Sequence, residues 1–181
     1  MVPVVSFVGN SGVGKTTFLE KLIPVLKSRG YRVAAIKHDA HRFVIDYPGK
    51  DSWRLTEVGS DIVVISSQEK LALIERSQSE RDLPDLVAMV ADRVDIVVTE
   101  GYRGASAVKV EVSRSAHSHA LTGRLDDLIA IVTDEPFDYP VPQFGLDDAE
   151  AVSAFLEARF SLKPLRKDPA LPLPCADTQL R

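Results

Sequence analysis

Residues 9–16 read Gly-Asn-Ser-Gly-Val-Gly-Lys-Thr, a complete G-x-x-x-x-G-K-[ST] pattern. That pattern cradles phosphate only when it joins a strand to a helix, and both are written around it. Val4–Val8 is apolar and β-branched enough for a buried parallel strand. After the loop, Leu19, Leu22, Ile23 and Leu26 fall at i, i+3, i+4 and i+7, one face of a helix over 17–29. Gly30 is placed to end that helix, and Pro24 is expected to bend it. Gly9, Gly12 and Gly14 let the backbone turn its N–H groups toward phosphate oxygens, with Asn10, Ser11, Val13 and Thr17 completing the cradle. The helix N-terminus adds the positive end of a dipole. Lys15 is positioned for the β- and γ-phosphates, and the Thr16 hydroxyl for Mg²⁺.

The rest of the chain continues to alternate strands and helices. Residues 32–37 read as a strand, 38–50 as a polar and aromatic loop, and 50–58 as a short helix closed by Gly59. Residues 61–66 and 70–75 read as two strands joined by a three-residue turn, which makes them antiparallel and the sheet mixed. Asp82 is placed to cap a helix that buries Leu83, Leu86, Val87 and Val90. Residues 95–99, 108–112 and 128–133 are further strands. Asp147 and Glu150 resemble a capping box for a helix through Arg159, with Val152, Phe155, Leu156 and Phe160 on its buried face. The expected fold is α/β: a P-loop NTPase three-layer sandwich, with a mostly parallel sheet and an antiparallel strand pair, spanning residues 1–160. Residues 161–181 carry four prolines and no clear period, and read as an extended tail.

The size, 181 residues, suits one domain with a substantial core. A net charge of −4 supplies no bulk attraction to nucleic acid or membrane. No apolar run reaches the roughly 18–20 residues that a bilayer span requires. The single cysteine, Cys175, has no partner for an intramolecular disulfide, which fits a reducing cytoplasm. The N-terminus enters the first strand without a charged region, so no signal peptide is expected.

A phosphate loop needs a carboxylate at the end of a neighbouring strand. Glu100, after Ile96-Val97-Val98-Thr99, holds that Walker B position, although an acid can also simply end a strand. Asp39 ends the second strand in the same way, and either ligates Mg²⁺ or caps a turn. Asp134 follows the strand at 128–132, where a carboxylate could accept from the N1–H and N2–H₂ edge of guanine. The Asn-Lys-x-Asp signature is absent there, and an acid in a turn before Pro136 explains the residue equally well. His38 with His41, and His117 with His119, could each offer two metal ligands or serve as surface residues. Lys37, His38, His41, Arg42, Lys50 and Arg54 suit a second anionic ligand near the mouth of the site, or are solvated surface charge.

The loop, followed by Ile36-Lys37-His38, by Asp46-Tyr47-Pro48-Gly49-Lys50-Asp51-Ser52 and by Thr99-Glu100-Gly101-Tyr102, resembles the molybdopterin-guanine dinucleotide biosynthesis protein B (MobB) family over residues 3–160. The resemblance implies a GTP-binding homodimer with weak Mg²⁺-dependent GTPase activity. It implies an adapter that assists a separate guanylyltransferase in joining GMP to molybdopterin, with molybdopterin as second ligand and molybdopterin-transfer proteins as further partners. By position, Gly9 to Thr17 match the nucleotide loop, with Lys15 in its catalytic place, and Glu100 matches the Walker B acid. Lys37, His38 and residues 48–52 match signature stretches. The early signature lysine of the MinD class is missing, since Asn10-Ser11 stands there. Two rival functions share the loop. One is a GTP-dependent metallochaperone for a nickel enzyme, using the histidines. The other is an ATP-dependent small-molecule kinase, with His38 or Asp39 near the γ-phosphate.

Overall fold

The computed structural model describes residues 1–39, 43–117, 120–123 and 125–163. His41, Arg42, His119, Cys175 and the tail from residue 164 onward lie outside these. In chain order the elements are β1 (Val4–Val8), α1 (Lys15–Ser28), β2 (Val33–Lys37), α2 (Asp51–Glu57), β3 (Ile62–Ser66) and β4 (Leu71–Glu75). Then come α3 (Leu83–Ala88), β5 (Ile96–Glu100), β6 (Val108–Ser113), a 3-10 turn at Leu125–Asp127, β7 (Leu128–Thr133), β8 (Gln143–Phe144) and α4 (Ala149–Phe160). The chain forms two compact units, residues 39–82 and the remainder.

In the larger unit six strands pair in the order β2-β5-β1-β6-β7-β8, every neighbouring pair parallel. Parallel strands need cover on both faces. One face receives α1 and α4. Phe18, Leu22 and Leu26 of α1 and Val152 and Leu156 of α4 pack with Val5, Phe7, Val98, Val110 and Val132 of the sheet. Arg29 near the end of α1 ties the helices together through Glu150 and Glu157 of α4. The first helix runs through Pro24 to Ser28. It then stops because Gly30, at φ 88, turns the chain so that its N–H reaches Lys27 O and that of Tyr31 reaches Leu26 O.

The opposite face is polar where β1, β5 and β6 meet. Ser6 and Thr99 share a buried hydroxyl bond of 2.9 Å. Lys109 and Glu111 of β6 are both about 1% exposed, and neither charge is left alone. Lys109 Nζ donates to the carbonyls of Ala105 and Ala107 and to Asp127, the last at 2.8 Å. Glu111 accepts from the N–H and hydroxyl of Thr122 and from the N–H of Gly123, all within 2.7 Å.

Three sequence expectations are corrected here. The antiparallel pair is not part of the main sheet: β3 and β4 pair from Ile62↔Glu75 to Ser66↔Leu71 as a sheet of their own. Periodicity identifies a strand but not the sheet that it joins. The α3 helix is one turn shorter than its apolar spacing suggests, and buries only Leu83 fully. The box at Asp147 does not form. Lys21 takes the Asp147 carboxylate, Arg29 takes Glu150, and Asp148 stands at the N-cap with its carboxylate on the N–H of Gly145. Cations on α1 outcompete the neutral N–H groups of the helix start. The two-residue β8 is too short to leave a periodic trace.

Because Glu111 holds two backbone N–H groups in a water-poor place, Glu111→Ala should lower stability by about 3 kcal/mol. Urea unfolding measures it. A loss under about 1 kcal/mol would mean that water replaces the carboxylate.

Candidate functional site

The loop leaves β1 at its carboxyl end, between β5 and β6, where the strand order reverses and ligands bind in open α/β sheets. Gly9, at φ 142, is buried against β6: a Cβ there would lie 2.2 Å from the Val112 carbonyl oxygen. The glycine is therefore required by the sheet before any phosphate arrives. Gly14, also left-handed at φ 99, caps α1, and its carbonyl accepts from Phe18 N–H at 2.9 Å.

Lys15 Nζ donates to Gly9 O at 3.1 Å and to Asn10 O at 2.7 Å. An ammonium has three N–H donors, so one remains to meet a ligand. Burial lowers its pKa, partly offset by the nearby Glu100. A partly dehydrated cation gains more from an arriving anion than a solvated one does.

Thr16 Oγ1 donates to Glu100 Oε2 at 2.8 Å. Glu100 is the last residue of β5, in register with Phe7 of β1 and Lys37 of β2, and Lys37 Nζ stands 4.0 Å from its other oxygen. With its proton committed to the carboxylate, the Thr16 oxygen keeps its lone pairs for a cation. A hydroxyl beside a carboxylate is a hard-oxygen pair that fits Mg²⁺ completed by phosphate and water. Among the described residues no group of three or more His, Cys, Asp or Glu is arranged to hold a metal ion by itself.

The remaining expected residues are distributed as follows. Asn10 and Gly14 are half-buried, Ser11, Gly12, Thr16 and Thr17 face solvent, and Val13 is in the core. Asp134 follows β7, exposed, and both its oxygens accept from Ser115, from its N–H at 2.8 Å and its hydroxyl at 3.3 Å. These bonds hold its pKa below the ordinary carboxylate range. Asp39 is exposed and belongs to the 39–82 unit, as do Lys50 and Arg54, the latter paired with Asp51. His38 packs its ring on Tyr102 at 5.0 Å, whereas His117 lies on Gly12, where a Cβ would come within 3.2 Å of the imidazole.

Two arginines beside the loop escaped the sequence reading. Arg103 donates from Nη2 to Gly9 O. Arg114 brings Nη2 to 3.6 Å from where a Cβ of Gly14 would lie, and its Nε is buried with no hydrogen-bond partner among the described residues. The only sequence signal for either is its place shortly after β5 or β6, at the ligand edge of the sheet.

Fold and site together define a P-loop nucleotide-binding protein. Residues 4–134 match the family model MobB, molybdopterin guanine dinucleotide synthesis protein B. The chain is 34% identical over 161 residues to the molybdopterin-guanine dinucleotide biosynthesis adapter protein of Escherichia coli K12, covering 86% of this chain and 92% of that one. It is 33% identical over 158 residues to the same-named protein of Haemophilus influenzae, covering 86% and 88%. A crystal structure of molybdopterin-guanine biosynthesis protein B superposes with TM-score 0.68 at 32% identity, covering 86% of this chain and 99% of the other. Bacillus subtilis MobB superposes with TM-score 0.70 at 27% identity, covering 89% and 98%. The chain belongs to the MobB family, as the sequence resemblance implied.

If Gly9 serves the sheet as well as the ligand, Gly9→Ala destabilises the nucleotide-free protein by about 2–3 kcal/mol. Denaturant melts without ligand test this, and an unchanged midpoint would restrict Gly9 to ligand approach.

Proposed function

We propose that the chain is a cytoplasmic GTP-binding adapter of molybdenum cofactor biosynthesis, assisting a separate guanylyltransferase that attaches GMP to molybdopterin. Lys15, anchored on two carbonyls with one donor to spare, carries the nucleotide part of this reading. Membership of a family whose relatives are called adapter proteins supports the rest. Thr16 and Glu100 would hold Mg²⁺, which supplies charge neutralisation at the phosphates. Asp134 is the proposed reader of guanine. A carboxylate has about four acceptor positions, and Ser115 occupies two while fixing its direction. Lys37 and His38, at the end of β2, suit the anionic group of molybdopterin as second ligand, and Asp39, in the other unit, is a proposed oxygen donor to a metal. The guanylyltransferase and molybdopterin-transfer proteins are the proposed partners.

A second copy of the chain is the proposed occupant of the hairpin. Ile62, Val64, Leu71 and Leu73 are each more than half exposed on β3 and β4, a cost that two-fold pairing removes.

Competition of GTP against ATP, without and with molybdopterin, tests the function. GTP should win by at least tenfold. An ATP preference would favour the kinase alternative, and stoichiometric Ni²⁺ binding the metallochaperone. Glu100→Gln should bind GTP within a few-fold of wild type yet hydrolyse it more slowly, because the amide loses the charge that organises cation and water. Single-turnover rates decide, and an unchanged rate makes Glu100 structural. In sedimentation at micromolar concentration the chain should run as a dimer and Leu73→Lys as a monomer. A monomeric wild type would remove the dimer.

A further inference from the structure

Immediately after Glu100 the backbone takes two left-handed residues in succession, Gly101 at φ 95 and Tyr102 at φ 57. A tyrosine in that region is strained, and such strain persists only where its surroundings impose it. Here Gly101 N–H is held by Phe7 O at 3.0 Å, Ala105 N–H by Tyr102 O at 3.0 Å, and the Tyr102 ring by His38. The turn sends the Arg103 side chain back onto the nucleotide loop, where its Nη2 donates to Gly9 O. Lys15 Nζ holds the same carbonyl.

Two cations thus converge on one oxygen. Like charges brought together on one carbonyl repel each other. An anion placed between the two cations removes that repulsion. A guanidinium has five N–H donors in a planar fork suited to phosphate, and Gly9 engages only one nitrogen of it. The direction of approach selects the phosphate. Glu100 marks the side where a cation would be held beside the phosphates, and Arg103 comes from the same strand end, three residues later. The proposed base side, at Asp134 after β7, lies three strands away, across β1 and β6.

We propose that Arg103 is a second cationic contact to the terminal phosphate of the bound nucleoside triphosphate, supplied in cis by the loop after β5. It rests on the nucleotide-binding reading above but not on the choice of base, and it makes the site selective for triphosphate over diphosphate.

The test is fluorescence titration of GTP, GDP, ATP and ADP on full-length wild type, Arg103→Ala and Arg103→Lys. Arg103→Ala should lose about tenfold to a hundredfold in triphosphate affinity, with diphosphate affinity within threefold of wild type. Arg103→Lys, which keeps charge but not the fork, should recover part of the loss. An unchanged triphosphate-to-diphosphate ratio overturns the proposal, as does an equal loss for both, which would mean that Arg103 only shapes the loop. ATP bound better than GTP overturns the guanine reading alone, since the Arg103 ratio is then read on ATP and ADP. A wild type that binds none of the four overturns both.

Discussion

Strand β6 buries a lysine and a glutamate two residues apart, and the nucleotide site depends on how each charge is answered. Lys109 is neutralised by Asp127 and by the carbonyls of Ala105 and Ala107, in the loop that carries Arg103. Glu111 is answered by Thr122 and Gly123, at the far end of the loop that carries Arg114 and His117. An unpaired charge at such depth is prohibitively costly, so both loops are bound to the strand that borders Gly9. The two segments flanking the phosphate cradle are thereby anchored from below by electrostatics.

This arrangement explains why some of the molecule was legible in the sequence and some was not. The strand–loop–helix unit was legible because it depends on spacing along the chain, and the place of Glu100 because it closes an apolar run that reads as a strand. The end of α1 at Gly30 was legible for the same reason. Lys109 and Glu111 within Val108–Ser113 read simply as polar residues of a strand, since their partners lie 18 and 11 positions away. Arg103 became visible only once the strained turn at Gly101–Tyr102 was placed. The failed capping box at Asp147 belongs here too. Its local pattern was sound, but Lys21 lies 126 residues away and offers a full charge where a helix start offers a partial one.

The smaller unit follows a different rule. Its hairpin pairs the inward-facing half of its backbone groups, with five registered pairs between β3 and β4. Its side chains do not meet their own need, because only Val63 is buried among the apolar residues of the two strands. A two-stranded ribbon has no interior and is marginal alone. Backbone pairing therefore accounts for the hairpin's existence, and apolar exposure accounts for its need of an external surface.

Net charge and site charge also part company. The chain carries −4 overall, yet Lys15, Lys37, Arg103 and Arg114 all stand at the carboxyl edge of one sheet, with Glu100 the acid set among them. Beyond a Debye length, about 8–10 Å at physiological salt, the acidic exterior gives a polyanion no reason to accumulate. Within the loop, partial dehydration of Lys15 raises the worth of each contact that a phosphate makes. A site built this way discriminates by reach: it favours a compact, multiply charged phosphate that enters the cradle over an extended anion that can meet only the surface. Net charge alone therefore conceals the gathering of Lys15, Lys37, Arg103 and Arg114 at this edge.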